Sequence, residues 1–240
     1  MAPDRASEAP PPLSDNETDE ATVGRYKLAA ARAAAELVQD GMRVGLGTGS
    51  TVAYLLAALG ERADELGRAR CVATSPATAQ IARELGLHVH GLDEVGELDI
   101  AIDGADQVAR DGWLVKGGGG AHTREKIVAA AAERFVVIVS AEKLRARVGP
   151  PVPLEVLRFG VQRTLLAIGD AQLRAAHASP DGNLIADYTG PVQDARRLAE
   201  RLSATPGVVE HGLFAPEMVS EIVVAGADGV RRRAGGKPTA

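Results

Sequence analysis

Residues 42–51 read MRVGLGTGST. An apolar strand over 42–46 enters a turn of three alternate glycines and leaves it as a helix whose first positions are Ser50 and Thr51. Glycines let the backbone approach a ligand closely. A helix start presents unpaired N–H groups and the positive end of a dipole to an anion. Ser50 also suits plain capping of the helix. Methyltransferases and dinucleotide enzymes share the GxGxG string, but hydroxyls at Thr48, Ser50 and Thr51, around Gly49, favour phosphate.

Outward from this turn, helical and extended patterns alternate. Helices are predicted over 26–38, 50–66, 77–85 and 123–132. Strands are predicted over 42–46, 70–74, 87–90, 98–102 and 135–139, the last a continuous apolar run, FVVIV. Short apolar strands separated by helices predict an α/β fold, a Rossmann-like parallel sheet covered by helices. Beyond Pro150, Pro151 and Pro153 the pattern changes. Helices over 161–168 and 192–202, with strands over 173–177, 184–187 and 208–211, predict a smaller α+β domain. A last apolar strand over 218–224 rejoins the main sheet. The expected division is a disordered tail over 1–21, a catalytic domain over 22–149 plus 215–230, the smaller domain over 150–214, and a C-terminal tail over 231–240.

Composition narrows the function. The chain has 240 residues, 45% hydrophobic and 25% charged, which excludes a wholly disordered protein. Lys plus Arg number 27 against 32 Asp plus Glu, a net charge of −5 that argues against a protein coating nucleic acid. Aromatic residues at 3% argue against a base-stacking platform. The lone cysteine, Cys71, makes neither an internal disulfide nor a cysteine zinc site, and points to a reducing compartment. No apolar run approaches the ~18 residues of a membrane span, and residues 1–20 lack the apolar core of a signal peptide. A cytoplasmic protein acting on a small molecule remains, with no nucleic acid and no membrane as partner.

Two further stretches carry chemistry. Residues 99–106, DIAIDGAD, end an apolar strand at Asp103 and place Asp106 on the following turn. Carboxylates at the carboxyl edge of a parallel sheet stand where open α/β folds bind ligands, although Asp and Gly also favour turns for their own sake. Residues 114–126, LVKGGGGAHTREK, set Lys116 before four successive glycines and Glu125 in the first turn of a helix. Four glycines cost backbone entropy on folding, which points to a loop whose amides or shape are needed. A flexible linker and a glutamate that merely offsets the helix dipole are the plain alternatives.

The run VGLGTGST, ATSPAT, DIAIDGAD, LVKGGGGAHTREK and SAEK, followed by PGVVEHGLF, resembles type A ribose-5-phosphate isomerase over residues 27–230. The resemblance implies an enzyme interconverting D-ribose 5-phosphate and D-ribulose 5-phosphate in the non-oxidative branch of the pentose phosphate pathway. It implies no metal or other cofactor, and a homodimer or homotetramer. It also implies that Lys27, Thr48, Gly49, Ser50 and Thr51 bind the substrate's phosphate and nearby hydroxyls. Asp103 and Asp106 match two active-site aspartates, Lys116 an active-site lysine and Glu125 the base. Gly117 and Gly118 then belong to the substrate-binding loop, and Lys143 matches a lysine closing the pocket.

His122 departs from the family, standing where an apolar residue is usual. Either it is a harmless substitution or it perturbs the titration of Glu125. The segment 158–190 is also shorter and less like the family than the rest. Three rivals fit less of the chain. A sugar-phosphate sensor would need neither Lys116 nor Glu125, an amino-sugar phosphate deaminase would bring a histidine-centred ring-opening pattern, and a methyltransferase leaves 116–125 unexplained.

Overall fold

The computed structural model describes residues 19–237. Residues 1–18 of the expected N-terminal tail lie outside them. Its last residues belong to helix α1 (Glu20–Ala35), which begins ahead of the predicted 26. Glu20 sits in the first turn, where a carboxylate suits the helix dipole, and buried Thr22 accepts a bond from Arg25 Nη2 at 2.7 Å.

Strand β1 (Arg43–Leu46), helix α2 (Ser50–Gly60), strand β2 (Arg70–Ala73), helix α3 (Pro76–Glu84), the single turn α4 (Leu92–Val95) and strand β3 (Leu98–Asp103) follow. Ser75 starts α3 by accepting from the Thr78 N–H at 3.1 Å, with Pro76 pre-set at the first position. The strand predicted over 87–90 is reduced to one bridge, Cys71 to Val89. Next come β4 (Gln107–Ala109), β5 (Leu114–Val115), α5 (His122–Ala131), β6 (Ala132–Ser140) and β7 (Leu144–Arg145). The remainder comprises β8 (Val152–Val156), α6 (Val161–Ile168), β9 (Ala171–Ala178), β10 (Leu184–Tyr188), α7 (Ala195–Ser203), β11 (Val208–His211), β12 (Leu213–Phe214), β13 (Glu221–Gly226) and β14 (Gly229–Ala234).

The main sheet runs β14-β13-β6-β3-β1-β2, parallel from β13 to β2, with β14 antiparallel at the edge. Its five parallel strands are largely apolar on both sides because both faces are covered. On one side Val44, Leu46, Ile100, Ile102, Val136 and Ile138 pack with alanines and leucines of α1 and α2. On the other, Ala101, Phe135, Val137 and Val139 meet Val128 and Ala129 of α5. The chain steps outward from β1 to β2, then returns to the opposite side of β1 with β3. Strand order therefore reverses between β1 and β3, which opens a crevice beyond their carboxyl ends.

A second sheet, β11-β8-β10-β9, is antiparallel, and β12-β5-β4-β7 form a third, small one. Strand β8 falls inside the proline cluster and was not predicted. Pro153 is tolerated within it because its carbonyl accepts from Gly212 N at 2.7 Å. The missing N–H leaves nothing unpaired on that side, because Gly212 O already accepts from Lys116 N at 2.8 Å.

Residues 231–234, expected as part of a solvated tail, instead continue the hairpin onto the outer edge of the main sheet. The arginines suit an exposed edge, which charge protects from further pairing. Arg232 Nη2 donates to Ala33 O at 2.8 Å and Arg233 Nη2 to Ala109 O at 3.2 Å, fastening the strand to the body.

Candidate active site

The turn between β1 and α2 lies at the switch point. Gly49 precedes α2 with φ +126°, a conformation that favours glycine. Lys27 reaches across from α1 and donates to Ser50 Oγ at 2.9 Å. Thr48 Oγ1 lies 2.8 Å from Thr74 Oγ1 and 3.2 Å from Thr78 Oγ1, while Thr78 donates to Gly47 O at 3.0 Å. The threonines of ATSPAT thus brace the turn. Sequence reasoning quoted that motif without assigning them this part. Thr51 stands in the first turn of α2, beside Gly104.

Asp103 ends β3 directly under this turn. Its Oδ1 accepts from Thr48 N at 3.2 Å and from Gly104 N at 2.7 Å. A Cβ on Gly47 would lie 1.9 Å from that oxygen, so only glycine fits there. Asp103 Oδ2 pairs with Lys116 Nζ at 2.9 Å, and the same ammonium pairs with Glu125 Oε2 at 3.0 Å and donates to Gly104 O at 2.6 Å. Lys116 follows β5 and Glu125 lies in the first turn of α5, so three separate elements meet on one nitrogen. Asp103, Lys116 and Glu125 are 3%, 2% and 4% exposed, which makes this a desolvated group. Asp106 is exposed, and its Oδ2 accepts from Gly118 N at 2.8 Å.

Burial sets the electrostatics. It raises Glu125, and the nearby Asp103 charge raises it further, to about 8, against the pull of Lys116. Burial likewise raises Asp103, with Lys116 opposing. The Lys116 ammonium resists the same desolvation because two carboxylates hold it above its ordinary range. The positive end of the α5 dipole, which favours an ionised carboxylate in the first turn, is outweighed. One ammonium between two buried carboxylates is short of one positive charge, so the acids compete to stay ionised.

The glycine loop closes the group. Gly117 has φ +103°, and a Cβ there would meet His122 Nδ1 at 2.5 Å and Pro153 Cβ at 2.9 Å. His122 is wholly buried, with Nε2 donating to Glu210 O at 3.4 Å, and burial lowers it to about 3. It is neutral at physiological pH, so it lays no charge on Glu125; it packs the loop from beneath. Lys143 lies on the turn Ala141–Lys143 after β6. Among the described residues no hydrogen bond or ion pair joins it to the group around Lys116. The structure thus brings together Lys27 with Ser50, Asp103 with Lys116 and Glu125, and Asp106 with Gly118, and leaves Lys143 apart.

The ribose 5-phosphate isomerase A (phosphoriboisomerase A) family matches residues 70–229. The ribose-5-phosphate isomerase A of Natronomonas pharaonis is 46% identical over 215 residues, spanning 85% of this chain and 94% of that protein. That of Dinoroseobacter shibae is 43% identical over 225 residues, 86% of each chain. The solved ribose 5-phosphate isomerase A of Methanocaldococcus jannaschii superposes with a TM-score of 0.82 at 36% identity, covering 87% of this chain and 97% of that one. A D-ribose-5-phosphate isomerase solved in complex with phospho-erythronic acid gives 0.83 at 32% identity, over 88% and 99%. With relatives this similar over most of both chains, the protein belongs to the ribose 5-phosphate isomerase A family.

Proposed function

We propose that this chain interconverts D-ribose 5-phosphate and D-ribulose 5-phosphate, with Glu125 as the base that carries a proton between carbon-2 and carbon-1. Starting from the aldose, Glu125 takes the proton from carbon-2, and the electrons of that bond form the enediolate. The same carboxyl then returns the proton to carbon-1, while the hydroxyl proton of oxygen-2 passes to oxygen-1. A base near neutrality suits this task because it both accepts and gives the proton at working pH. The observation that carries the proposal is the buried Lys116 ammonium shared by Glu125 and Asp103.

Lys116 supplies positive charge where the enediolate oxygen becomes negative, in a site dry enough to strengthen the interaction. Asp103 and Asp106 assist ring opening and pass the hydroxyl proton. Lys27, Thr48, Gly49, Ser50 and Thr51 hold the phosphate at the start of α2, and its binding energy positions the reacting end. Gly117 and Gly118 line the sugar, and Lys143 moves in over it when substrate binds. A cytoplasmic homodimer or homotetramer follows from the family resemblance. No helix among the described residues is long and apolar enough to cross a membrane.

The test is Glu125→Gln, which keeps shape and removes the base. Turnover of ribose 5-phosphate in a coupled assay is expected to fall on the order of 10³-fold, with KM little changed. A variant as active as the parent would remove Glu125 from the reaction.

A further inference from the structure

Arg174 lies on β9 and is buried enough to leave its side chain 20% exposed. Its Nε and Nη2 form a two-pronged pair with Asp187 of β10, both at 2.7 Å. That pair uses one side of the guanidinium and fixes its plane. The remaining corner, Nη1, points at the glycine loop and donates to Gly117 O at 3.1 Å and Gly118 O at 2.8 Å. Two successive carbonyls are therefore drawn toward the antiparallel sheet. Gly118 is gripped from its other side as well, since its N–H donates to Asp106.

We infer that Arg174 is a positioning residue for the isomerisation, holding the peptides after Lys116 in the orientation the sugar-binding loop requires. Glycine without such a clamp samples many conformations, and folding alone does not choose among them. With both carbonyls turned to Arg174, Gly118 presents its N–H to Asp106, and these two carbonyl oxygens are kept from the side where the enediolate would form. A carbonyl turned the other way would set a negative dipole against the developing oxyanion. Asp187 acts one step further out by anchoring the guanidinium. Lysine cannot replace it, because an ammonium lacks the planar fork that serves Asp187 and both carbonyls together.

The inference rests on the reading of Glu125 as the base, and the two fail separately. Arg174→Ala, Arg174→Lys, Asp187→Asn and Glu125→Gln are assayed for kcat, KM and Tm with ribose 5-phosphate. Arg174→Ala is expected to lose kcat by on the order of tenfold to a hundredfold, with KM moving much less because the phosphate turn is untouched. Arg174→Lys is expected to lose nearly as much. Millimolar guanidinium added to Arg174→Ala is expected to recover part of kcat, which a purely structural defect would not show. Asp187→Asn keeps the cation and packing and is expected to lose kcat more mildly, so the clamp remains testable should the alanine variant fail to fold. Unchanged kcat in folded Arg174→Ala, or in Asp187→Asn where the alanine variant does not fold, overturns the clamp. So does a loss that follows Tm and is not recovered by guanidinium. An active Glu125→Gln instead overturns the site reading.

Discussion

The parallel sheet holds its candidate site residues at strand ends, while the antiparallel sheet holds its buried polar side chains within its strands. Asp103 ends β3, and Ser50 opens α2 after β1, so both sit at the carboxyl edge of the sheet, beside the crevice. Glu155, inside β8, is fully buried. It accepts from Thr123 Oγ1 at 2.5 Å, Ser179 Oγ at 2.6 Å and Asn183 Nδ2 at 2.7 Å. Arg174 of β9 grips the glycine loop at the opposite end of the same segment, and Arg124, next to Thr123, pairs with Asp181 at 2.6 Å. One sheet displays chemical groups; the other fixes the backbone that carries Lys116 and Glu125. The two kinds of site should therefore fail differently when altered.

The largest effect is expected on the parallel side, from Gly47→Ala. The new Cβ has no room against Asp103 Oδ1, and Asp103 is already fixed by two backbone amides and Lys116. Either the turn or the carboxylate moves, and kcat/KM should drop by on the order of a hundredfold or more. Steady-state assays beside a melting curve check this, with Tm expected to fall too, but with a loss of activity larger than the unfolded fraction explains; full activity would show that the turn yields freely. On the antiparallel side, Glu155→Ala removes the acceptor of three donors packed under α5. Losing that network should destabilise the protein by roughly 3 kcal/mol, or about 6–12 °C in Tm. Kinetics should suffer mainly through the unfolded fraction. Equal melting temperatures would mean that water replaces the carboxylate, and the contrast between the sheets would weaken.

The same contrast explains what was legible in the sequence. Strands covered on both faces announce themselves as apolar runs, so β3 and β6 were found within a few residues. Strand β8 was hidden by its own prolines, β14 by its arginines, and the two- and three-residue strands β4, β5, β7 and β12 are too short to show a period. The site residues were legible as motifs because glycine turns and strand-end carboxylates have local signatures. Their convergence was not, since Lys116 meets Asp103 and Glu125 only once β3, β5 and α5 have packed. Arg174 and Glu155 carry no local signature. Each is a single charge in an unremarkable strand, and Arg174 reaches the loop from 57 residues away in sequence.

The smallest effect concerns the charge shared at the junction, and it tests whether the three buried groups behave as one. In the proposed reaction the base is the ionised form of Glu125, so protonation removes activity, and kcat/KM should climb as pH rises through about 8. Desolvation is the main reason that limb lies so high, and the negative charge of Asp103 adds to it. Replacing Asp103 by Asn deletes that charge and leaves Lys116 with Glu125 as its single carboxylate partner. Both changes favour the ionised glutamate, so the acid limb should move to lower pH, by about one unit for a neighbouring charge worth 1.4 kcal/mol. The position of the limb is the readout, because its height also carries the loss of the hydroxyl-proton relay. A limb that stays in place would mean that burial alone sets the base, and that Asp103 orients Lys116 without sharing its charge with Glu125.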